Sequence, residues 1–135
     1  MKKIEHIGIA VNDLDSSNIL FEKLFGKPAY KLEEVASEGV LTSFFKSGPN
    51  KIELLAATNQ NSPIAKFLKK KGEGIHHIAF AVDDIEKEIK RLKAEGFIVL
   101  NDKPKKGADN KLVAFLHPKS ANGVLIELCQ EINQK

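Results

Sequence analysis

Tryptophan is absent from this 135-residue chain, cysteine, tyrosine and methionine occur once each, and Arg91 is its single arginine. One cysteine excludes an intramolecular disulfide. Cys129 lies in an apolar run, so a buried thiol in a reducing compartment is its expected role. The positive charge comes from 20 lysines, which lack the guanidinium forks that read base edges. With no aromatics interleaved among the basic residues either, nucleic acid is not an expected partner. No run of about 18 apolar residues occurs, and the N-terminus has no stretch of signal-peptide character, so no membrane span is expected and the cytoplasm is the expected compartment. A net charge of +3 gives a modest field suited to a small anionic substrate.

What remains is an ordinary globular composition, 42% hydrophobic and 29% charged. The length allows one well-buried core and not two independent domains of usual size, so residues 1–135 are read as a single domain. Within it the chain repeats itself. His6-Ile7-Gly8-Ile9-Ala10-Val11-Asn12-Asp13-Leu14 returns as His77-Ile78-Ala79-Phe80-Ala81-Val82-Asp83-Asp84-Ile85, with five identities in nine. Ile52-Glu53-Leu54 returns as Ile126-Glu127-Leu128. The histidines stand 71 residues apart and the glutamates 74, so the copies agree to within a short loop. The modules are about 1–58 and 73–131, joined by a linker at 59–72.

Each module reads as a strand, a helix and three strands. Ile4–Val11 is strand-like, and Asp13 or Asp15 can cap a helix over Asp15–Phe25 that Gly26 stops. The apolar stripe expected on that helix is Ile19, Leu20 and Leu24 with Ser16. Strands are then expected at Pro28–Glu34, Val40–Lys46 and Lys51–Ala56. In the second copy, Ile75–Val82 precedes a helix capped by Asp83 or Asp84, with Ile85, Ile89 and Leu92 on its buried side. Phe97–Leu100, Lys111–Leu116 and Val124–Cys129 are the strands expected after it. In the linker, Ser62-Pro63 starts a short helix with Ile64, Phe67 and Leu68 on one face.

Strand alternation sorts the side chains. His6, Gly8 and Ala10 share one face, while Ile7, Ile9 and Val11 share the other, and His77, Ala79 and Ala81 repeat the small-residue face. Small neighbours beside a histidine leave room for a bound molecule. A lone histidine near a strand start is more often structural than functional, but two at equivalent repeat positions argue for function. Glu53 and Glu127 lie among apolar neighbours, where a carboxylate is costly unless paired or metal-bound. His6, Glu53, His77 and Glu127 therefore form the candidate set for a divalent metal. His76 points away from His77 and is expected to pack under the second helix. His117, before Pro118, is read first as a turn residue and second as a contact for an anionic substrate.

The doubled H-I-x-x-A-V-x-D pattern with paired glutamates resembles the vicinal oxygen chelate (glyoxalase-bleomycin resistance) superfamily. The likeness covers nearly the whole chain. The segments Ser62-Pro63-Ile64-Ala65-Lys66-Phe67-Leu68, Gly74-Ile75-His76-His77-Ile78-Ala79-Phe80 and Phe115-Leu116-His117-Pro118-Lys119-Ser120-Ala121-Asn122-Gly123-Val124-Leu125-Ile126-Glu127-Leu128 resemble the methylmalonyl-CoA epimerase family within it. The resemblance implies an α+β fold, in which two tandem βαβββ modules form one curved cleft with pseudo-twofold symmetry. It also implies epimerisation of (R)- and (S)-methylmalonyl-CoA by α-proton exchange through a metal-stabilised enolate. His6, His77, Glu127 and Glu53 would be the metal ligands, with cobalt the expected ion and nickel, zinc or manganese the alternatives. Glu53 and Glu127 would also serve as the acid–base pair. One family member has a further glutamate in the strand after a Gly-Val dipeptide, at the position of Thr42, which cannot act as such a base. An acyl-CoA partner is implied, with His117, Lys119 and Lys106 as candidate substrate contacts, and so is a homodimer. The alternative activity is a glyoxalase I-like lactoylglutathione lyase; a metal-free, antibiotic-sequestering module is a third reading, against which all four filled ligand positions count.

Overall fold

A computed structural model describes residues 1–132. Among them the chain forms strands β1 (Lys3–Ala10), β2 (Lys31–Val35), β3 (Val40–Ser47), β4 (Asn50–Ala57), β5 (Gly74–Ala81), β6 (Lys105–Lys106), β7 (Lys111–Leu116) and β8 (Ile126–Glu131), with helices α1 (Leu14–Phe25), α2 (Pro63–Lys71) and α3 (Ile85–Ala94). Two compact units result, His6–His76 and Met1–Glu5 together with the chain from His77 onward.

In the unit His6–His76, β3 runs antiparallel to both β2 and β4, and β1 runs parallel to β4. Helix α1 covers one face of this sheet, where Val11, Leu14, Phe45, Leu54 and Ala56 are buried with Ile9, Phe21 and Phe25 against them. The branched face of β1 thus packs under the helix, as alternation requires. The stripe expected on α1 is different: Ile19, Leu20 and Leu24 are 57%, 63% and 70% exposed. The helix instead turns Leu14, Phe21 and Phe25 inward, and the Phe21 and Phe25 rings meet the Phe45 ring at centroid distances of 6.2 and 5.5 Å. Both sides of this helix carry apolar residues, and the larger aromatic contact decides which is buried.

Helix α2 belongs to the same unit. Ser62 caps it, its Oγ accepting from the Ala65 N–H at 3.1 Å, and Pro63 takes the first helical position. Ile64 packs with Ala10, Val40 and Leu55 on the sheet face opposite α1, with Phe67 and Leu68 beside it. The linker therefore roofs one end of the face that carries His6. His76 packs its ring edge-on to Phe67 of α2, centroids 4.9 Å apart at 83°.

In the other unit β5 runs parallel to β8, and β7 runs antiparallel to both β8 and β6. Lys2 donates its N–H to the Ala81 carbonyl at 2.9 Å. Ile85, Ile89 and Leu92 bury one stripe of α3 against Ala114, Leu116 and Leu128, as the periodicity predicts. The expected strand Phe97–Leu100 does not form; Val99 makes a single bridge to Leu116. Asn101 Oδ1 takes the Phe115 N–H at 3.2 Å, and the chain re-joins the edge of β7 only at Lys105 and Lys106. The last strand also begins later than expected, since the Val124 N–H is held in a turn by the Ala121 carbonyl. No helix among the described residues is long and apolar enough to cross a membrane.

Helices α1 and α3 start on aspartates: Asp13 Oδ2 accepts from the Ser16 N–H and Asp84 Oδ1 from the Lys87 N–H, each at 3.1 Å. Asp84→Ala is expected to lower the unfolding free energy by about 1 kcal/mol in a urea titration. Hydrogen bonds from the Ser16 hydroxyl and N–H hold the Asp13 carboxyl below its ordinary value. A carboxylate lowered on folding adds stability above its unfolded pKa and loses it as pH falls through the folded one. The stability difference between wild type and Asp13→Ala should therefore be full at neutral pH and shrink on acidification below the usual carboxylate range.

Candidate functional site

In the unit His6–His76, Gly8 stands opposite Glu53 across β1 and β4, and Ala10 stands opposite Leu55. Residues directly opposed share a face, so His6 lies diagonally from Glu53 on the side away from α1. Gly8 puts no side chain between them. His6 Nδ1 and Glu53 Oε2 are 3.1 Å apart, and both side chains are about 95% buried, with exposures of 6% and 5%.

The other unit repeats this arrangement residue for residue. Ala79 stands opposite Glu127 across β5 and β8, and His77 Nε2 lies 2.9 Å from Glu127 Oε1 at exposures of 6% and 8%. Ala79, Val113, Cys129 and Phe115 pack together on that face, the Phe115 ring meeting the His77 ring at 82° with centroids 6.0 Å apart. The Cys129 thiol is buried, its Sγ 3.5 Å from the Phe80 carbonyl oxygen.

Register also places residues that sequence reasoning passed over. Phe44 stands opposite Glu53 and Phe115 opposite Glu127, so each glutamate has an aromatic neighbour at the equivalent position of the next strand. The signal was present in the sequence as a phenylalanine in the strand preceding each glutamate. Thr42, two residues before Phe44, is fully buried on the same face, and its Oγ1 has no hydrogen-bond partner. A buried hydroxyl left so costs about 1–3 kcal/mol. Glu5, one residue before His6, is buried as well at 5% exposure. Alternation had directed it away from the histidine face, so nothing in the pattern marked it.

The candidate substrate contacts all lie in the second unit. His117 caps the short turn Pro118–Ser120, Nδ1 accepting from the Lys119 N–H at 3.0 Å, while its own N–H goes to the Ile98 carbonyl at 2.7 Å. That is the turn role the sequence suggested first. Lys119 and Lys106 are exposed. Lys106 pairs with Leu112, whose side chain joins the α3 core, whereas Lys105 pairs with Val113 on the face of Glu127. Lys111 is largely buried, with Nζ 3.5 Å from Glu131 Oε1.

Each unit thus holds one imidazole against one buried carboxylate. As bare hydrogen-bonded pairs they satisfy part of each carboxylate's bonding capacity; as ligands they form a mixed nitrogen and oxygen donor set that suits late first-row divalent cations. In each unit a bound cation would also supply the charge that the buried carboxylate requires. The donor chemistry fits a metal.

A family model described as the Glyoxalase/Bleomycin resistance protein/Dioxygenase superfamily matches residues 5–115. The mitochondrial methylmalonyl-CoA epimerase of Dictyostelium discoideum is 44% identical over 127 residues, 93% of this chain and 76% of that protein. The ethylmalonyl-CoA/methylmalonyl-CoA epimerase of Cereibacter sphaeroides is 41% identical, with 95% of this chain and 97% of that one covered. A variant of the Streptomyces coelicolor methylmalonyl-CoA epimerase, solved in complex with 2-nitronate-propionyl-CoA, superposes with a TM-score of 0.94 at 34% identity, covering 98% of this chain and 99% of that one. The lactoylglutathione lyase of Arabidopsis thaliana is only 24% identical, and the chain covers 44% of it.

If His77 and Glu127 are energetically coupled, removing one alone strands the other in the interior. Glu127→Leu and His77→Phe are each expected to destabilise the metal-free protein by about 3 kcal/mol, and the double replacement by less than their sum. Urea unfolding of the four proteins in the cycle measures the coupling.

Proposed function

The chain belongs to the Glyoxalase/Bleomycin resistance protein/Dioxygenase superfamily, and from that premise we propose that it interconverts the (R) and (S) forms of methylmalonyl-CoA by exchange of the α-proton. The observation that carries this reading is the doubled His–Glu pair, buried at equivalent positions in the two units. Near-full-length likeness to methylmalonyl-CoA epimerases supports it, while the lyase alternative has only the weaker match.

His6, Glu53, His77 and Glu127 are proposed to hold one divalent ion. When bound, that ion supplies electrostatic stabilisation for the negative charge that builds on the thioester oxygen as the α-proton leaves. Inversion at the α-carbon requires two acid–base groups, one for each face of the planar carbon. The duplication provides two: one glutamate carboxylate takes the proton and the other returns one to the opposite face. A carboxylate gripped by a cation is a weak base, so the glutamate that takes the proton would need to be the less tightly held of the two. Phe115, edge-on to His77, keeps that ring in place, and the Gly8 and Ala79 positions keep the space beside each pair open. Cobalt as the ion, a homodimer as the assembly and the cytoplasm as the compartment form part of the same proposal. His117, Lys119 and Lys106 remain in it as contacts for the acyl-CoA, lysine serving phosphate as a point charge.

The test is deuterium wash-in from each enantiomer of methylmalonyl-CoA in heavy water, with cobalt, nickel, zinc or manganese supplied, beside methylglyoxal plus glutathione. Both enantiomers are expected to take up deuterium, and Glu53→Gln and Glu127→Gln each to slow the exchange by about 100-fold or more. Exchange unchanged in both variants would remove the glutamate pair. Lyase turnover without epimerisation would remove the reading itself.

A further inference from the structure

The Thr42 hydroxyl has no part in the chemistry just described. It is fully buried on the face of β3 that carries Phe44, beside Glu53 and Leu55 of β4, and its Oγ1 has no partner. Two other buried polar atoms, Asn18 Oδ1 and Ser43 Oγ, are also without one. Those two lie on the opposite face. Ser43 alternates with Thr42, and Asn18 sits on the side of α1 that buries Leu14, Phe21 and Phe25. Around Thr42 the neighbours on its own face are Val40, Phe44 and Leu55, all apolar, and Glu53, which engages His6.

The hydroxyl is also not duplicated. Phe44 stands opposite Glu53 as Phe115 stands opposite Glu127, so Thr42 corresponds to Val113. His6 is matched by His77, Glu53 by Glu127 and Phe44 by Phe115, whereas at Thr42, next to Phe44 on the same face, the repeat changes from polar to apolar, as it also does on the other face where Ser43 is matched by Ala114. A duplicated set of ligands cannot by itself tell one end of a substrate from the other. A half-thioester of a dicarboxylic acid has chemically different ends flanking its reacting carbon, one a carboxylate and one a thioester.

We propose that Thr42 is a specificity-determining residue whose hydroxyl donates a hydrogen bond to the free carboxylate of the bound acyl-CoA. That bond fixes which way round the substrate enters. The inference rests on the epimerase reading and adds to it the residue that recognises the carboxylate.

Malonyl-CoA and propionyl-CoA differ only in bearing a carboxylate or a methyl at the same place, so their affinities isolate the contact. Calorimetric titration of cobalt-loaded wild type, Thr42→Val and Thr42→Ser with each ligand gives the test. Thr42→Val is expected to weaken malonyl-CoA binding about tenfold and to leave propionyl-CoA within about twofold, while Thr42→Ser stays near wild type for both. Thermal unfolding should find Thr42→Val at least as stable as wild type, because an unsatisfied polar atom has been removed. Equal losses for the two ligands, or no loss for either, would overturn the proposal. Wild type that binds neither ligand would take the epimerase reading down with it, whereas wild type that binds malonyl-CoA with Thr42→Val unchanged would remove Thr42 alone.

Discussion

A carboxylate inside a protein must find a positive or hydrogen-bonding partner, and in both units that partner is an imidazole one strand away. The demand is strict because desolvating a charged oxygen costs more than most single contacts return. Glu53 and Glu127 meet it in the same manner, reaching diagonally across a parallel strand pair to His6 and His77. Much of the surrounding structure serves that reach. Gly8 and Ala79 leave room opposite each glutamate, and the helix is kept on the other face by the branched residues that alternate with the histidine.

The repeat also separates work between the two faces of each sheet. One face takes the helix and the bulk of the apolar packing, including Phe45 under α1 and Leu116 with Leu128 under α3. The other carries the polar groups and is closed differently in the two units. Beside His6 it is roofed at one end by α2, through Ile64 against Ala10 and Leu55. Beside His77 a smaller cluster of Ala79, Val113 and Cys129 does the packing. Chemical likeness of the pairs thus coexists with unlike surroundings.

Strands, helices and ligand candidates were legible where periodicity and duplication spoke together. Ile85, Ile89 and Leu92 define one unambiguous stripe, and they are buried. On α1 two apolar stripes compete, Ile19-Leu20-Leu24 and Leu14-Phe21-Phe25, and periodicity alone has no means of choosing between them. The choice lies in Phe45, a residue of another strand, whose ring completes an aromatic cluster with the second stripe. Phe97–Leu100 misled for a similar reason: its composition is that of a strand, but Asn101 removes a ladder donor of β7 and limits the pairing to one bridge. Glu5, buried beside His6 in sequence, carried no pattern that would have marked it.

The sequence by itself determined the repeated module and which polar residues it carries: the same histidine, the same glutamate and similar small residues recur at nearly constant offsets, and strand alternation follows from backbone geometry alone. Tertiary structure alone decided which helix face is buried, that His76 meets Phe67, and that the Thr42 hydroxyl is buried without a hydrogen-bond partner. The reason is physical. Alternation and helical period are properties of a residue's own backbone, whereas burial and hydrogen-bond satisfaction belong to whichever distant side chains arrive beside it.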